Sequence, residues 1–507
     1  MLKFEVYNEG APATNIDLGG AYAFSQESIP IRADLGVQEG MLTIAKRMPG
    51  ACGLAILWHA GSAGKFLLTT TRLMERAQPY NLNVELARAQ LARMSQKREE
   101  WGLFDFASAE ALNRELDLVR AKFIQALNAP DGAAASVLAD EALEAGITLG
   151  EKMALFHADV FIDRRRNSSS PPLRGGFGCQ IDLLSQSELY QQRLMEAFDF
   201  ITVPMVWKHI EPKERTHNFL QVDAWMKWAA AARRPVHAGP LVSFEKSHLP
   251  DWMYLWEHDY ETLRDMIYEH VQRVVQRYDK QVRVWRVVGG LNAFNSFDLT
   301  FEQIIELTRI TCLLVKKLAP RSSVIIDIAL PFGEYYARNP KTIPPLLYAD
   351  MAVQSGVKFD AFGIQLYSGV PADGMYVRDL LQISSLLDEF VSMSKPLHIS
   401  ACQAPSDVSS DGWDAWAGQA CVTKAGHWHN PWSQRLQAEW LQAFFRVAIS
   451  KPYVESICWR DLADYEGHYV PHGGLCRNNL EPKLAFKELR NFKAILADAE
   501  ALKRDRK

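Results

Sequence analysis

From about residue 173 onward the chain alternates short apolar runs with stretches of helical period, and it does so eight times. The apolar runs fall at 177–182, 200–206, 236–244, 282–288, 324–329, 361–366, 397–401 and 454–459. Between them lie helical stretches such as 222–232 and 260–277, and two helix starts are signalled by Ser185-x-x-Glu188 and Thr300-x-x-Gln303. Parallel strands joined by crossover helices produce this reading, because each strand must be buried on both faces. A doubly wound open sheet is the competing solution. It would call for a glycine-rich phosphate loop, and the chain has neither a GxGxxG nor a GxxxxGK[ST]. The expectation is an α/β fold, a (β/α)8 TIM barrel over 173–507.

Two other regions precede the barrel. Residues 1–80 carry short apolar runs at 3–7, 31–35, 41–45, 54–58 and 66–70, punctuated by Gly, Pro and Asn. They read as a small sandwich-like β domain. Residues 81–172 change to helical spacing in Ala- and Glu-rich sequence, broken at Asn128-Ala129-Pro130-Asp131-Gly132 into at least two helices. The stretch 164–172 (RRRNSSSPP) reads as a linker, with its arginine triplet at a solvated edge.

Composition narrows the partners. The net charge is -4, from 56 basic and 60 acidic residues without a dominant run of either sign. No nucleic acid is expected, since such partners select a basic face. No apolar run approaches the roughly 20 residues that span a bilayer, so no membrane is expected either. Seven scattered cysteines form no CxxC pair, and the N-terminus lacks the apolar core of a signal peptide. A cytoplasmic location is the default expectation, with export left open. His427-x-His429 is too sparse to predict a metal, and no cofactor is expected. The oligomeric state is not legible.

Local wording from about 195 to 488 resembles glycoside hydrolase family 10, the xylanase family. Trp207-Lys208-His209-Ile210-Glu211-Pro212 follows strand 2 as the family's Trp-x-x-Ile-Glu-Pro does, with Asn218-Phe219 and Asp223 at the family's spacing. Leu249-Pro250-Asp251-Trp252, Gly363-Ile364-Gln365, Trp459 and Pro482-Lys483-Leu484-Ala485 continue the likeness in order. The resemblance implies hydrolysis of a β-linked glycan such as xylan. It also implies two glutamates about 5 Å apart, one as acid/base and one as nucleophile. Neither is present. The strand-4 Asn-Glu is replaced by Gly289-Gly290, and Ala401 holds the strand-7 place. The strand-3 Gly-His-Thr-Leu-Val-Trp is replaced by Ala238-Gly239-Pro240-Leu241-Val242-Ser243, and the strand-6 His appears as Tyr367.

Replacement groups are sought at the C-terminal ends of the strands. Asp327 ends an apolar run on strand 5 and Asp461 follows strand 8; a second acid pair made from these two is the candidate catalytic set. A salt bridge to a barrel arginine is the alternative for Asp327. Asn292 and Tyr367 are candidate substrate contacts because they sit at strand ends, and Trp207, Gln365 and Trp459 because the resemblance matches them to family positions in the pocket. Trp428 joins them from a loop that also holds Trp413, Trp416 and Trp432, since indole rings stack on sugar faces. The expected partner is an oligo- or polysaccharide. Two readings stay open: a glycosidase with a relocated acid set, and a non-catalytic glycan-binding scaffold.

Overall fold

The computed structural model describes residues 1–504 apart from Glu39, 168–175, 410–411 and 413–420. Trp413 and Trp416 lie outside the described residues. Eight parallel strands close into a barrel in chain order. They are β1 (Gly176–Gln180), β2 (Phe200–Val203), β3 (Val236–Ala238), β4 (Val282–Gly289), β5 (Ser323–Ile328), β6 (Ala361–Tyr367), β7 (Leu397–Gln403) and β8 (Val454–Trp459). β1 closes the ring on β8, with Gly178 opposite Cys458. The strands are apolar on both faces because one packs the barrel interior and the other the surrounding helices. Trp285, Val287 and Val288 of β4 are all fully buried.

Helix starts follow local capping chemistry. Thr300 and Gln303 form the reciprocal capping box of helix Phe301–Leu318. The helix after β1 starts later than the Ser185 signal implies. Ser185 instead donates to the Asp182 carboxylate at 2.5 Å, while Ser187 accepts from the Tyr190 N–H and caps Glu188–Ala197. The acid two residues past β1 captures the first serine, so the second becomes the cap.

The N-terminal region holds a four-stranded sheet (Tyr80–Asn81, Leu2–Glu5, Met41–Lys46, Ala33–Gln38) and the larger part of a five-stranded one. The fifth strand of the latter is His427–Trp428, contributed by the loop after β7. It pairs antiparallel with Gly64–Thr69, setting Trp428 opposite Gly64. Gly64 has φ +127, and a Cβ there would meet the His427 carbonyl at 2.5 Å, so only glycine admits the added strand. Helices Leu82–Glu100, Glu110–Leu127 and Gly132–Asn167 follow. The last of these absorbs Arg164, Arg165 and Arg166, which were expected in a linker. Arg165 donates to the carbonyls of Ile449 and Lys451, which gives the arginine a barrel-side partner in place of solvent.

These elements brace the barrel mouth. Arg378, in the loop after β6, bonds Glu334 of the loop after β5 and donates to the Leu67 carbonyl of the N-terminal sheet. Glu151, buried on helix Gly132–Asn167, accepts from Trp428 Nε1 at 2.7 Å and the Leu380 N–H at 3.1 Å, and lies 3.1 Å from His429 Nε2. Burial pulls the His429 pKa down, but the bond to Glu151 and its charge outweigh that and hold it above the ordinary value. A raised histidine contributes stability that is fully present below its unfolded value of about 6.5 and is lost as pH rises through the folded value. Replacing His429 by Gln is therefore expected to flatten the decline in thermal stability above neutral pH. A pH series of melting curves measures this, and an unchanged slope would count against the pairing.

Candidate functional site

A cleft of about 980 Å³ opens at the C-terminal ends of the strands, where a barrel keeps its variable loops. Its floor is set by Arg286 and Gln365, with Gln180 beside them. Its walls carry Lys208, Glu245, His248, Phe294, Arg460 and Asp461, with Tyr465 and Tyr469 on the last loop. A smaller depression of about 480 Å³ adjoins it and shares Asp182, Asp461, Tyr465 and Glu466 with it.

Inside the barrel, Arg286 on β4 reaches Asp327 on β5 at 2.5 Å and, across the ring, the Gln180 Oε1 on β1 at 3.3 Å. Gln365 Nε2 approaches the same Asp327 oxygen at 3.4 Å. Asp327 is wholly buried, and Gly363 makes room for it: a Cβ at 363 would sit 1.8 Å from its Oδ1. The salt-bridge alternative for Asp327 therefore describes its surroundings. The carboxylate is not among the groups lining the cleft. Asp461 is placed differently. It lines the cleft, accepting from Gln403 Nε2 at 2.8 Å and facing the Tyr465 hydroxyl at 3.4 Å. Burial raises its carboxyl above the usual range, with Arg460 and Gln403 pulling the other way. Asp327 and Asp461 are thus engaged in separate networks, one under the floor and one in the wall.

The two positions emptied of glutamate are physically filled. Gly290 sits just past β4 at φ +70, and a Cβ there would meet the Phe294 ring at 2.6 Å and the Ala329 Cβ at 2.9 Å. Ala401, fully buried in β7, belongs to an apolar cluster with Leu330, Tyr367, Met375 and Val470. Tyr367 turns its hydroxyl to accept from Arg460 Nη1 at 2.8 Å, and its ring packs edge-on against Tyr469 at 4.9 Å.

Other sequence candidates are structural in their surroundings. Trp207 is buried, stacks on His270 at 4.0 Å and donates to Glu211, while its neighbours Val206 and Lys208 line the cleft. Trp459 is fully buried and donates to the Gly473 carbonyl. Trp428 is held by Glu151 in the added strand. Asn292 is buried, bonding Ala329 and the Tyr335 hydroxyl. Of the six candidate substrate contacts, Gln365 alone is in the lining. In each other case the reason is alternation or local bonding: a neighbour one position away takes the exposed side, or a buried amide finds backbone partners. Arg460, Glu245, His248, Phe294 and Tyr469 were missed. Arg460 and Glu245 had a signal, since each is the first charged residue beyond its strand's apolar run. Among the described residues no group of three His, Cys, Asp or Glu could hold a metal ion, and no helix is long and apolar enough to cross a membrane.

Comparison with known proteins places these features. The model of "Glycosyl hydrolase family 10" matches residues 174–491. A curated relative, "Endo-1,4-beta-xylanase B" of Thermotoga neapolitana, is 28% identical over 108 residues, 21% of this chain and 31% of the relative. The chain thus matches about a third of that relative's length. Among solved structures, native xylanase 10B from Thermotoga maritima aligns at 18% identity and TM-score 0.48, over 64% of this chain and 97% of that one. Xylanase 10B from Thermotoga petrophila RKU-1, solved with xylobiose, aligns at 18% identity and TM-score 0.46, over 67% and 96%.

Proposed function

The chain belongs to glycosyl hydrolase family 10, and from that premise we propose that it binds a glycan in the mouth cleft without cleaving it through the family's glutamate pair. One observation carries the reading: both glutamate positions are occupied by packing, Gly290 by the Phe294 ring and Ala401 by an apolar cluster. A retaining site needs two carboxyls facing one sugar ring, and an inverting site also needs space for water between them. The groups that remain in the cleft are those of a binding surface. Phe294, Tyr465 and Tyr469 offer rings to sugar C–H faces, while Gln365, Lys208 and Glu245 offer hydroxyl partners. We assign residues 1–80 and 81–172 the role of a buttress that fixes the loops after β5, β6 and β7 through Glu334, Arg378 and Trp428.

Xylo-oligosaccharides are the first ligands to test, because the relatives are xylanases. Calorimetry with the full chain is expected to give binding in the micromolar-to-millimolar range with no reducing sugar released on prolonged incubation. A second reading rests on Asp461, a cleft acid whose pKa burial raises, the property of a general acid. Turnover that disappears in Asp461→Asn would establish that reading and displace the first.

A further inference from the structure

Three arginines lie in the barrel and its mouth loops, Arg286 and Arg378 buried and Arg460 half-buried, and the first two have a carboxylate partner. Arg286 has Asp327 and Arg378 has Glu334. Arg460 has none within salt-bridge reach among the described residues. Its one side-chain hydrogen bond runs from Nη1 to the neutral Tyr367 hydroxyl, and its Nε is buried with no partner. The guanidinium carbon lies 4.3 Å from the Tyr469 ring centroid and 5.5 Å from that of Tyr367, so two rings hold its plane at the cleft wall. His248, across the same cleft, also has a buried Nδ1 without a partner. Asp461 is next in sequence to Arg460 and feels its charge, but the Asp461 oxygens bond Gln403 and Tyr465 and leave the guanidinium fork open.

A half-buried guanidinium with no carboxylate hydrogen-bonded to it leaves donors unpaired, and its planar fork fits a carboxylate in a way that a point charge does not. We propose that Arg460 is the anchor for a single carboxylate on the bound glycan, so that the ligand carries a uronic acid residue. The inference rests on the glycan reading above and narrows it. The rest of the cleft restricts the charge to one. Asp182, Glu245, Asp461 and Glu466 also line it, and these acids repel a polyanionic chain while leaving one carboxylate favourable at Arg460. His248, kept neutral because burial and the nearby Arg460 and Arg286 charges lower its pKa, is positioned to bond the same sugar as a neutral group.

The test is calorimetry of the full chain with a β-linked trisaccharide carrying one glucuronate, beside its neutral glucose counterpart and a 6-O-sulfated one. The glucuronate ligand is expected to bind at least about tenfold more tightly than the neutral one, with a preference that weakens as salt is added. In Arg460→Gln the preference is expected to vanish while neutral binding persists, and Arg460→Lys is expected to keep only part of it. Should these variants not fold, the three-ligand comparison on the unaltered protein decides alone. Equal binding of acidic and neutral ligands would overturn the proposal and leave the glycan reading standing. A preference for sulfate over carboxylate would overturn the uronate assignment. Binding of none of the three would overturn both.

Discussion

Restoring the two family glutamates, as Gly290→Glu with Ala401→Glu, is expected to yield no xylanase activity and to lower the unfolding free energy by about 4 kcal/mol or more. At 290 the backbone has φ +70, which costs a side chain roughly 1–3 kcal/mol before packing is counted. The new Cβ then meets the Phe294 ring and Ala329, an overpacking cost of about 1–3 kcal/mol. At 401 the carboxyl would enter an apolar cluster with Tyr367, Leu330 and Val470, beside which Arg460 is already engaged by the Tyr367 hydroxyl. Gly290→Ala alone should show the backbone and Cβ part of this effect. Denaturant unfolding with a reducing-sugar assay on xylan checks both halves. Family-like hydrolysis by a folded double variant would show that the site is intact apart from its two acids, and would defeat the packing argument.

Asp327→Ala is expected to destabilise the protein by about 3–5 kcal/mol, because it leaves the buried Arg286 guanidinium in the cleft floor without its charge partner. The magnitude separates two roles for the same residue. A general acid replaced by Asn costs rate and little stability, whereas a charge partner in a wholly buried pair costs stability whether or not sugar is present. Glu439, exposed in its pair with Arg435, is the contrast, and its removal should be nearly silent. Replacing Asp327 and Arg286 together by apolar residues should recover part of the loss, since the stranded charge leaves with its partner. A near-neutral Asp327→Ala with altered sugar chemistry would reverse the assignment.

Much of the fold was legible because burial leaves a period in the sequence. Every barrel strand begins within a residue of its expected start, since each is an apolar run covered on both faces, although the run expected over 236–244 is strand only at Val236–Ala238. The β8 bounds agree end for end, Val454–Trp459. The two-residue strand His427–Trp428 left no such trace. Its partner is Gly64–Thr69, more than 350 residues away, and two residues are too few for a pattern. For the same reason the tryptophans of that loop read as a sugar platform, while Trp428 is spent on Glu151 and Trp432 is buried.

The site was legible in what it lacked and less so in what it holds. Gly290 and Ala401 could be read as lost acids from local wording alone. That Phe294 and Tyr367 grow into the vacated space could not: Phe294 folds back from the same loop as Gly290, and Tyr367 reaches the Ala401 cluster from the neighbouring strand. Asp461 is legible from its position past a strand and Gln365 from the strand-6 motif Gly363-Ile364-Gln365. Trp207 and Trp459 occupied equally good positions and turned away from the cleft, since a strand end does not state which way a side chain points.

By itself, then, the sequence determined the barrel, its family and the absence of the glutamate pair, because hydrophobic period and short motifs are properties of neighbours along the chain. Only the tertiary structure decided that Asp327 belongs to Arg286, that Arg460 bonds a tyrosine hydroxyl in place of a carboxylate, and that the emptied positions are packed shut. Those are matters of charge balance and occupied volume among strand ends tens to hundreds of residues apart, and they exist only once the ring has closed.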